Sequence, residues 1–269
     1  MKDKRILYIS SELTPYLPET EVSKMAFEVP KEMHSQGAQI RMFMPRFGVI
    51  NERRHQLHEV IRLSGMNLII NDMDMPLIIK VASLPKERMQ VYFIDNEEYF
   101  RRKAVFTDEE GKLFPDNDER AIFFAKGVVE TVKKLNWSPD IIHIHGWMAS
   151  LLPLYLREYY KNDPLFADSK IVTSAFNYQN SGVLSGDKLI DKIKFDQIAE
   201  EKLESFTKGN GNSFVKVAIE NSDAVIKGSE ELSDEISEVI ENLEIPVLDY
   251  QPIEEFSDAY SDFYLNKVL

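Results

Sequence analysis

The stretch that decides the fold reads RILYISSELTPYLPETEVSKMAFEVPKEMHSQGAQIRMFMP, from residue 5 to residue 45. It opens with the uninterrupted apolar run 6–9, which is typical of a strand buried on both faces of a parallel sheet. Apolar residues then recur every three or four positions over residues 22–33, which is the spacing of one helical face. A second apolar run follows at 40–44. This order of strand, helix and strand predicts a parallel sheet with right-handed crossovers.

The same alternation continues towards the C-terminus. Short apolar runs predict further strands at 141–145, 171–174 and 224–226. Helical spacing and capping residues predict five further helices. The first is expected to begin at Asp116, in a capping box with Glu119, and the second near Trp147. The others are expected to run from Ile193 to Phe206, to begin at Phe214, and to begin at the capping residue Ser229.

Residues 57–94 depart from this alternation. Four short β-like runs follow one another there, and turn-forming residues such as Asn71-Asp72 separate some of them. We therefore predict an α/β fold, a Rossmann-like parallel sheet with helices on both faces and a small β-hairpin insertion. The predicted domain covers residues 1–245, and residues 246–269 are predicted to form an acidic C-terminal tail.

The charge of the chain limits its partners. A net charge of −13 over 269 residues argues against a nucleic-acid partner, which needs a Lys/Arg surface. The acidity is uneven, because residues 229–269 contain a single base, Lys267, and we interpret the end of the chain as solvated. No run of about 18 apolar residues is present, so we expect no membrane span. The chain has no cysteine and no signal-peptide pattern, which predicts a cytoplasmic location.

Two histidines form the most suggestive chemical pair. His143 and His145 alternate on one predicted strand, so they face the same side, and they lie at the carboxyl end of the strand, where open α/β sheets place ligands. A metal ion would need further ligands, and the other histidines lie in distant segments. We therefore predict no metal site and interpret the pair as hydrogen-bonded structural or pocket histidines.

Other patterns carry less chemistry. Residues 208–212 have the composition of a phosphate loop, but they follow a predicted helix rather than a strand, which favours a plain turn. The acidic residues at 108–119 are numerous enough for a paired-carboxylate site, although their position before a helix favours capping and solvation. No nucleophile motif such as Gly-x-Ser-x-Gly is present. We predict no catalytic residue and no cofactor.

Several aromatic residues lie in or beside predicted loops. They are Tyr16, Tyr99, Phe100, Trp147 and Tyr178. Sugars stack on such rings through their C–H faces, but aromatic rings also pack into cores. The residues alone leave both interpretations open.

Six segments, in order and at similar spacing, resemble the N-terminal domain of the family-five glycosyltransferases, the retaining glycogen and starch synthases. They are SSELTP at 10–15, MPRFG at 44–48, VYFIDNEEYF at 91–100, FPDNDER at 114–120, PDIIHIHGW at 139–147, and the helix and strand at 214–226. The resemblance runs to about residue 240. It implies one half of a two-domain, GT-B glycosyltransferase, which transfers glucose from ADP- or UDP-glucose to an α-1,4-glucan.

The departures from the family pattern bear on function. Residues 18–22, Pro-Glu-Thr-Glu-Val, stand where the family has Lys-Thr-Gly-Gly-Leu, the loop that approaches the nucleotide-sugar phosphates. Gly146 and Met148 replace the Asp and the last His of its His-Asp-Trp-His segment, and Phe176 replaces a loop histidine near the reacting sugar. The two carboxylates of the first loop would repel a diphosphate.

The resemblance and these departures together imply a glycogen/starch synthase-like protein that is inactive alone. Three functions stay open: a non-catalytic protein that binds an α-glucan or a partner protein, one half of a split glycosyltransferase completed by a partner, and a scaffold with no sugar ligand. The candidate glucan or pocket contacts are Tyr16, Tyr99, His145, Trp147, Asn177, Tyr178 and Gln179.

Overall fold

The computed structural model describes residues 1–84, 86–178, 184 and 186–269. Its strands are β1 (Arg5–Ser10), β2 (Gln39–Pro45), β3 (His58–Glu59), β4 (Met66–Ile70), β5 (Met73–Ser83), β6 (Gln90–Asp95), β7 (Ile141–His145), β8 (Lys170–Ala175), β9 (Ala224–Lys227) and β10 (Val247–Leu248). Its helices are α1 (Glu21–Ser35), α2 (Glu52–His55), α3 (Glu97–Phe100), α4 (Asn117–Leu135), α5 (Leu152–Arg157), α6 (Gly186–Lys194), α7 (Gly211–Glu220), α8 (Asp234–Glu241) and α9 (Phe256–Phe263). Within this part of the chain, no helix combines the length and apolar character that a membrane span needs.

The strands form one sheet in the order β10-β9-β8-β7-β1-β2-β6-β5-β3, and β4 pairs with β5. Every neighbouring pair from β10 to β6 is parallel. Strand β1 lies at the centre, between β2 and β7, and its apolar run 6–9 is buried. The predicted parallel sheet is therefore confirmed, and burial on both faces explains why its strands read as continuous apolar runs.

The segment 57–94 forms the antiparallel edge of this sheet. Strand β5 pairs antiparallel with β3, β4 and β6, while β6 pairs parallel with β2. The predicted hairpin is confirmed. It extends the main sheet, because β6 belongs both to the hairpin region and to the parallel array.

Helices cover both faces of the sheet, as predicted. Gly127 of α4 lies so close to Ile94 of β6 that an added Cβ would be 2.8 Å from the Ile94 side chain. Tyr16, which precedes α1, packs edge-on against the neighbouring Phe93 at 4.9 Å between ring centroids. Successive residues of a strand point to opposite faces, so α4 and the segment that leads into α1 lie on opposite sides.

The predicted helix from 193 to 206 is wrong. Helix α6 ends at Lys194, and the chain continues in two short 3-10 turns, at 200–202 and 204–208. The interruption follows from a distant contact, because the carboxylate of Asp196 is buried against the Lys126 ammonium at 2.6 Å and the Tyr155 hydroxyl at 2.7 Å. Gln197 then takes a left-handed conformation, with φ of 61°, which no helix continues through.

Two predicted helix caps are also wrong. The Asp116 carboxylate makes no capping hydrogen bond and instead pairs with the Arg102 guanidinium. Helix α8 begins five residues after Ser229, with Ser233 at its N-cap position. A charged or hydroxyl side chain at a helix start is free to take a tertiary partner when one lies closer than the backbone N–H groups.

Residues 246–269 are not a solvated tail. Strand β10 extends the sheet beside β9, and α9 lies against α1. The apolar side chains of this segment that are buried are Phe256, Tyr260, Phe263, Tyr264 and Val268. Its carboxylates are exposed: Asp258 and Asp262 lie on the outer face of α9, and Asp249, Glu254 and Glu255 precede that helix.

Candidate functional site

The carboxyl ends of the parallel strands meet at one edge of the sheet, where open α/β folds bind ligands. The loops that leave these ends are 11–20 after β1, 146–151 after β7, 176–178 after β8 and 228–233 after β9. We call the space that they border the carboxyl-edge crevice. The segments that the sequence singled out, 18–22 and 139–147, both reach it.

The first loop is closed onto the start of α1 by its own side chains. The Thr20 hydroxyl oxygen accepts from the Ser23 N–H at 3.0 Å, and the Ser23 hydroxyl oxygen accepts from the Thr20 N–H at 2.8 Å. Thr20 also donates its hydroxyl hydrogen to the Glu12 carboxylate at 2.9 Å. This reciprocal cap satisfies backbone N–H groups that a helix start can otherwise offer to a phosphate.

Carboxylates surround this helix start. Glu21, in its first turn, accepts a hydrogen bond of 2.7 Å from the Ser229 hydroxyl, which ties the loop after β1 to the loop after β9. Glu19 is exposed and, among the described residues, pairs only with Lys24, at 3.6 Å. Burial raises the pKa of Glu12, an effect that the hydrogen bond from Thr20 opposes. The loop therefore presents carboxylates and the Thr20 hydroxyl, which is already hydrogen-bonded, and residues 18–22 contain no cation.

The turn after β7 fits only glycine. Gly146 has φ of 87°, and a Cβ placed on it would lie 2.5 Å from the Ser11 hydroxyl oxygen. The family's aspartate at this position would therefore collide with the loop after β1 unless Ser11 moved. The replacement of Asp by Gly146 matches the local packing as well as removing an acid.

An aromatic ring fills the space after β8. Phe176 is buried, and a Cβ added to Gly228 would be 2.5 Å from its ring. The rings of Phe176 and His145 lie 6.4 Å apart. The position at which the resemblance implies a histidine is thus occupied by an apolar side chain that packs against the sheet edge.

The two strand histidines differ in their partners. His143 contacts the Tyr264 hydroxyl at 2.6 Å through Nδ1 and the Ser174 hydroxyl at 2.8 Å through Nε2. His145 is fully buried and has no hydrogen-bond partner on either ring nitrogen within the described residues. Burial lowers the pKa of His145 to about 3, and burial together with the neighbouring His145 lowers the pKa of His143. Both rings are therefore neutral at pH 7.

These lowered pKa values make stability depend on pH. Each histidine regains its ordinary pKa of about 6.5 on unfolding, so the unfolded chain binds more protons below that pH and stability falls as pH falls. Between pH 6.5 and 5, we expect a loss of about 1.6 kcal/mol in the free energy of unfolding from His145 and a further loss of the same sign from His143. Urea denaturation of His145→Leu should show a shallower loss than the unmodified chain, whereas exposed His58→Leu should not. An unchanged pH profile in His145→Leu would contradict this interpretation.

The sequence-predicted contact residues fall into two groups. Tyr16, Tyr99 and Trp147 are 6 %, 3 % and 2 % exposed, so they offer no open ring face for a sugar in this conformation. Tyr16 packs on Phe93 and Tyr99 donates its hydroxyl to Glu119 at 3.0 Å. A sugar could stack on these three rings only if the residues that bury them moved aside.

The other predicted contacts lie at the rim. Asn177 is exposed and holds the loop after β9, donating to the Glu231 carbonyl at 2.6 Å and accepting from the Ser233 N–H at 2.7 Å. Tyr178 is half-buried, and its backbone N–H donates to Asn212 at 3.1 Å. Gln179 lies outside the described residues. Contact with a glucan by any of these remains a prediction.

Sequence reasoning missed the bridge between Glu21 and Ser229. The Thr20 and Ser23 spacing carries a weak capping signal, but nothing local connects residue 21 to a hydroxyl 208 positions later. Among the described residues, no group of three or more His, Cys, Asp or Glu side chains is placed to hold a metal ion.

The parallel sheet and its carboxyl-edge crevice define one Rossmann-like half of a GT-B glycosyltransferase. A family model described as the starch synthase catalytic domain matches residues 5–244, and the chain belongs to that family. Glycogen synthase from Chlorobium limicola is 34 % identical over 233 residues, which cover 86 % of this chain and 47 % of that protein. Glycogen synthase from Chlorobium phaeobacteroides is 39 % identical over 181 residues, 67 % of this chain and 37 % of that one.

A solved structure is similar in fold. The catalytic domain of starch synthase IV from Arabidopsis thaliana, bound to ADP and acarbose, superposes with a TM-score of 0.68 at 16 % identity. The match covers 84 % of this chain and 45 % of that one. The chain thus spans less than half the length of these curated relatives and of this structure.

Proposed function

We propose that this chain is a non-catalytic member of the starch synthase family that binds an α-glucan at its carboxyl-edge crevice. The observation that carries the proposal is the closed loop 18–22, in which Thr20 caps α1 and Glu21 is fixed by Ser229. Transfer from a nucleotide sugar needs the charge of the donor phosphates to be neutralised as the leaving group departs. This loop supplies negative charge there instead.

An uncharged polyol fits the same surface better than a diphosphate does. A glucan carries no charge, so the net charge of −13 does not repel it. Carboxylates such as Glu19 accept hydrogen bonds from sugar hydroxyls, and charge-assisted hydrogen bonds of this kind are stronger than neutral ones. Asn177 and Tyr178 lie at the same rim. The absence of cysteine from the sequence supports a cytoplasmic place for this function.

A second candidate is favoured by the length of the relatives. The glycogen synthases that match extend well beyond the matched region, which covers 47 % of the Chlorobium limicola protein. In this alternative the domain works with a nucleotide-binding domain supplied elsewhere, as one half of a split glycosyltransferase. Restored transfer on adding such a domain would distinguish it from the first candidate.

Native electrophoresis in gels with and without glycogen tests the first candidate. We expect glycogen to slow the chain relative to a non-binding reference protein, and amylase treatment of the glycogen to abolish the effect. The variant Glu19→Ala/Glu230→Ala should be slowed less, because it removes two exposed carboxylates beside the crevice. The control Glu59→Ala/Asp72→Ala makes the same change in charge at the β3–β5 edge and should behave as the unmodified chain. Equal mobility of the unmodified chain in both gels would refute glucan binding.

A further inference from the structure

A second cleft, of about 590 Å³, lies near the amino-terminal end of β6. The end of α2 and residues 83, 84, 86, 88 and 90 line it, and Tyr16 contributes to its wall from the loop after β1. Its volume is within the usual range for small-molecule sites, roughly 300–1,000 Å³. Among the described residues, Tyr16 is the one candidate glucan contact that lines this cleft, whereas Glu19, Asn177 and Tyr178 of the proposed glucan site do not.

The charge of the cleft is opposite to that of the whole molecule. Arg54, Lys86 and Arg88 line it, and no carboxylate does. The side chains of these three cations make no ion pair or hydrogen bond within the described residues. Nearby cations behave differently, since Lys80 pairs with Glu52 at 2.6 Å. The chain has 45 acidic and 32 basic residues, so a cleft lined by three basic residues and no acidic one differs from the rest of the molecule.

The single acid in the connection does not neutralise this cluster. Glu87 lies between Lys86 and Arg88 in sequence but does not line the cleft. It acts on Lys31 of α1, whose pKa is raised first by its hydrogen bond with Glu28 and in smaller part by Glu87 and Glu32. The positive potential of the cleft is therefore open to a ligand.

A buried hydroxyl adds an independent observation. Tyr16 lines the cleft, is 6 % exposed, and its hydroxyl has no hydrogen-bond partner in the part of the chain that the structure describes. Its ring is held between His55 and Phe93, each with a centroid distance of 4.9 Å. Burial raises the pKa of Tyr16, so the hydroxyl stays protonated and is a donor. A buried donor without an acceptor costs free energy unless a ligand or water completes it.

The backbone that carries the cations is unusual. Gln56, Lys86 and Arg88 all line the cleft with left-handed φ values of 54°, 71° and 56°. Residues with side chains adopt this conformation only when the surroundings enforce it, and such residues cluster at binding sites. Here the conformation shapes the two segments that bring Arg54, Lys86 and Arg88 to one cleft.

We propose that this cleft binds a phosphate ester. A phosphate monoester carries a charge of about −1.5 to −2 at pH 7 and three acceptor oxygens, which match three cations and one hydroxyl donor. Arginine side chains are suited to this group because their planar fork contacts two oxygens at once. The volume exceeds what a bare phosphate fills, and the half-buried His55 ring offers a surface to the carbon body of the ester. The site is independent of the proposed glucan site.

Isothermal titration calorimetry of the whole chain tests this proposal, with ribose 5-phosphate, inorganic phosphate and uncharged ribose as probes. We expect saturable binding of ribose 5-phosphate and none of ribose. Tighter binding of ribose 5-phosphate than of inorganic phosphate would assign the site to an ester, whereas equal binding would assign it to the free anion. No saturable heat with either phosphate compound would overturn the proposal.

Variants locate the binding. Arg54→Gln/Arg88→Gln should weaken ribose 5-phosphate binding by at least about tenfold, because each charge-assisted hydrogen bond is worth about that factor. Tyr16→Phe removes only the hydroxyl and should weaken it by a smaller factor. Arg53→Gln is the matched control, since Arg53 is exposed on the same helix and does not line the cleft. Arg54 and Arg88 are exposed, and each single variant is measured as well to exclude an effect of folding. Unchanged affinity in the double variant would overturn the proposed location.

Discussion

A chain whose residues 18–22 are rewritten as Lys-Thr-Gly-Gly-Leu, together with Phe176→His, is expected to gain glucosyl transfer that the unmodified chain lacks. Each chain is mixed with the isolated nucleotide-binding domain of a related glycogen synthase, and incorporation of glucose into glycogen is measured. We expect a difference of about a thousandfold or more in rate. The matched control is Phe176→His alone, which leaves the acidic loop in place and should stay inactive.

The expected size follows from charge and space in the loop. One unfavourable contact between unit charges about 4 Å apart costs about 4 kcal/mol near a protein surface, which corresponds to roughly a thousandfold in rate. Glu21 is held in place by Ser229, so it does not swing away from an incoming anion without losing that bond. Rewriting the loop also removes the Thr20 cap, at a cost of about 1 kcal/mol in stability, which the fold should tolerate. Gel filtration of the mixture checks that the domains associate, and comparable activity in the unmodified mixture would show that the loop is not the cause.

Tyr264→Ala is expected to lower the free energy of unfolding by about 3–5 kcal/mol, the range for removing a large buried aromatic side chain. Tyr264 is fully buried, its hydroxyl lies 2.6 Å from His143 Nδ1, and it approaches the Tyr8 hydroxyl at 3.4 Å. The variant therefore leaves a cavity and removes a partner of a buried histidine.

The neighbouring residue provides the control for this prediction. Leu265 follows Tyr264 in the same turn but is 40 % exposed, so Leu265→Ala should change the free energy of unfolding by no more than about 0.5 kcal/mol. Urea denaturation measures both. Similar small effects in the two variants would mean that the C-terminal segment is not part of the core.

The central sheet was predictable because its signals are local. The apolar run 6–9 and the helical spacing over 22–33 depend on residues that are close in sequence, and both appear where they were predicted. The antiparallel edge was likewise marked by short runs and turn residues within 57–94.

The errors have long-range causes. The helix expected from 193 to 206 is interrupted because Asp196 is drawn into a contact with Lys126, 70 residues earlier. The C-terminal segment was predicted to be solvated because of its many acidic residues, although Phe256, Tyr260 and Tyr264 recur every four residues. That apolar spacing was visible in the sequence, but its packing partner, helix α1, could not be read from it.

In the candidate site, too, local sequence features were predictable and long-range contacts were not. The departures at 18–22, Gly146 and Phe176 were visible in the sequence, but how they fit together was not. Gly146 is required by Ser11, and Phe176 by Gly228, through contacts between separate loops. Aromatic residues in loops were expected to face a ligand, yet these loops cross the sheet edge and turn their rings inward.

The most direct test of the lost donor chemistry is the transfer assay on the purified, unmodified chain. It is incubated with glycogen and either ADP-glucose or UDP-glucose, and incorporated glucose is compared with a no-protein control. Our account predicts no incorporation with either donor. Incorporation above that control, abolished by a substitution within this chain, would contradict it.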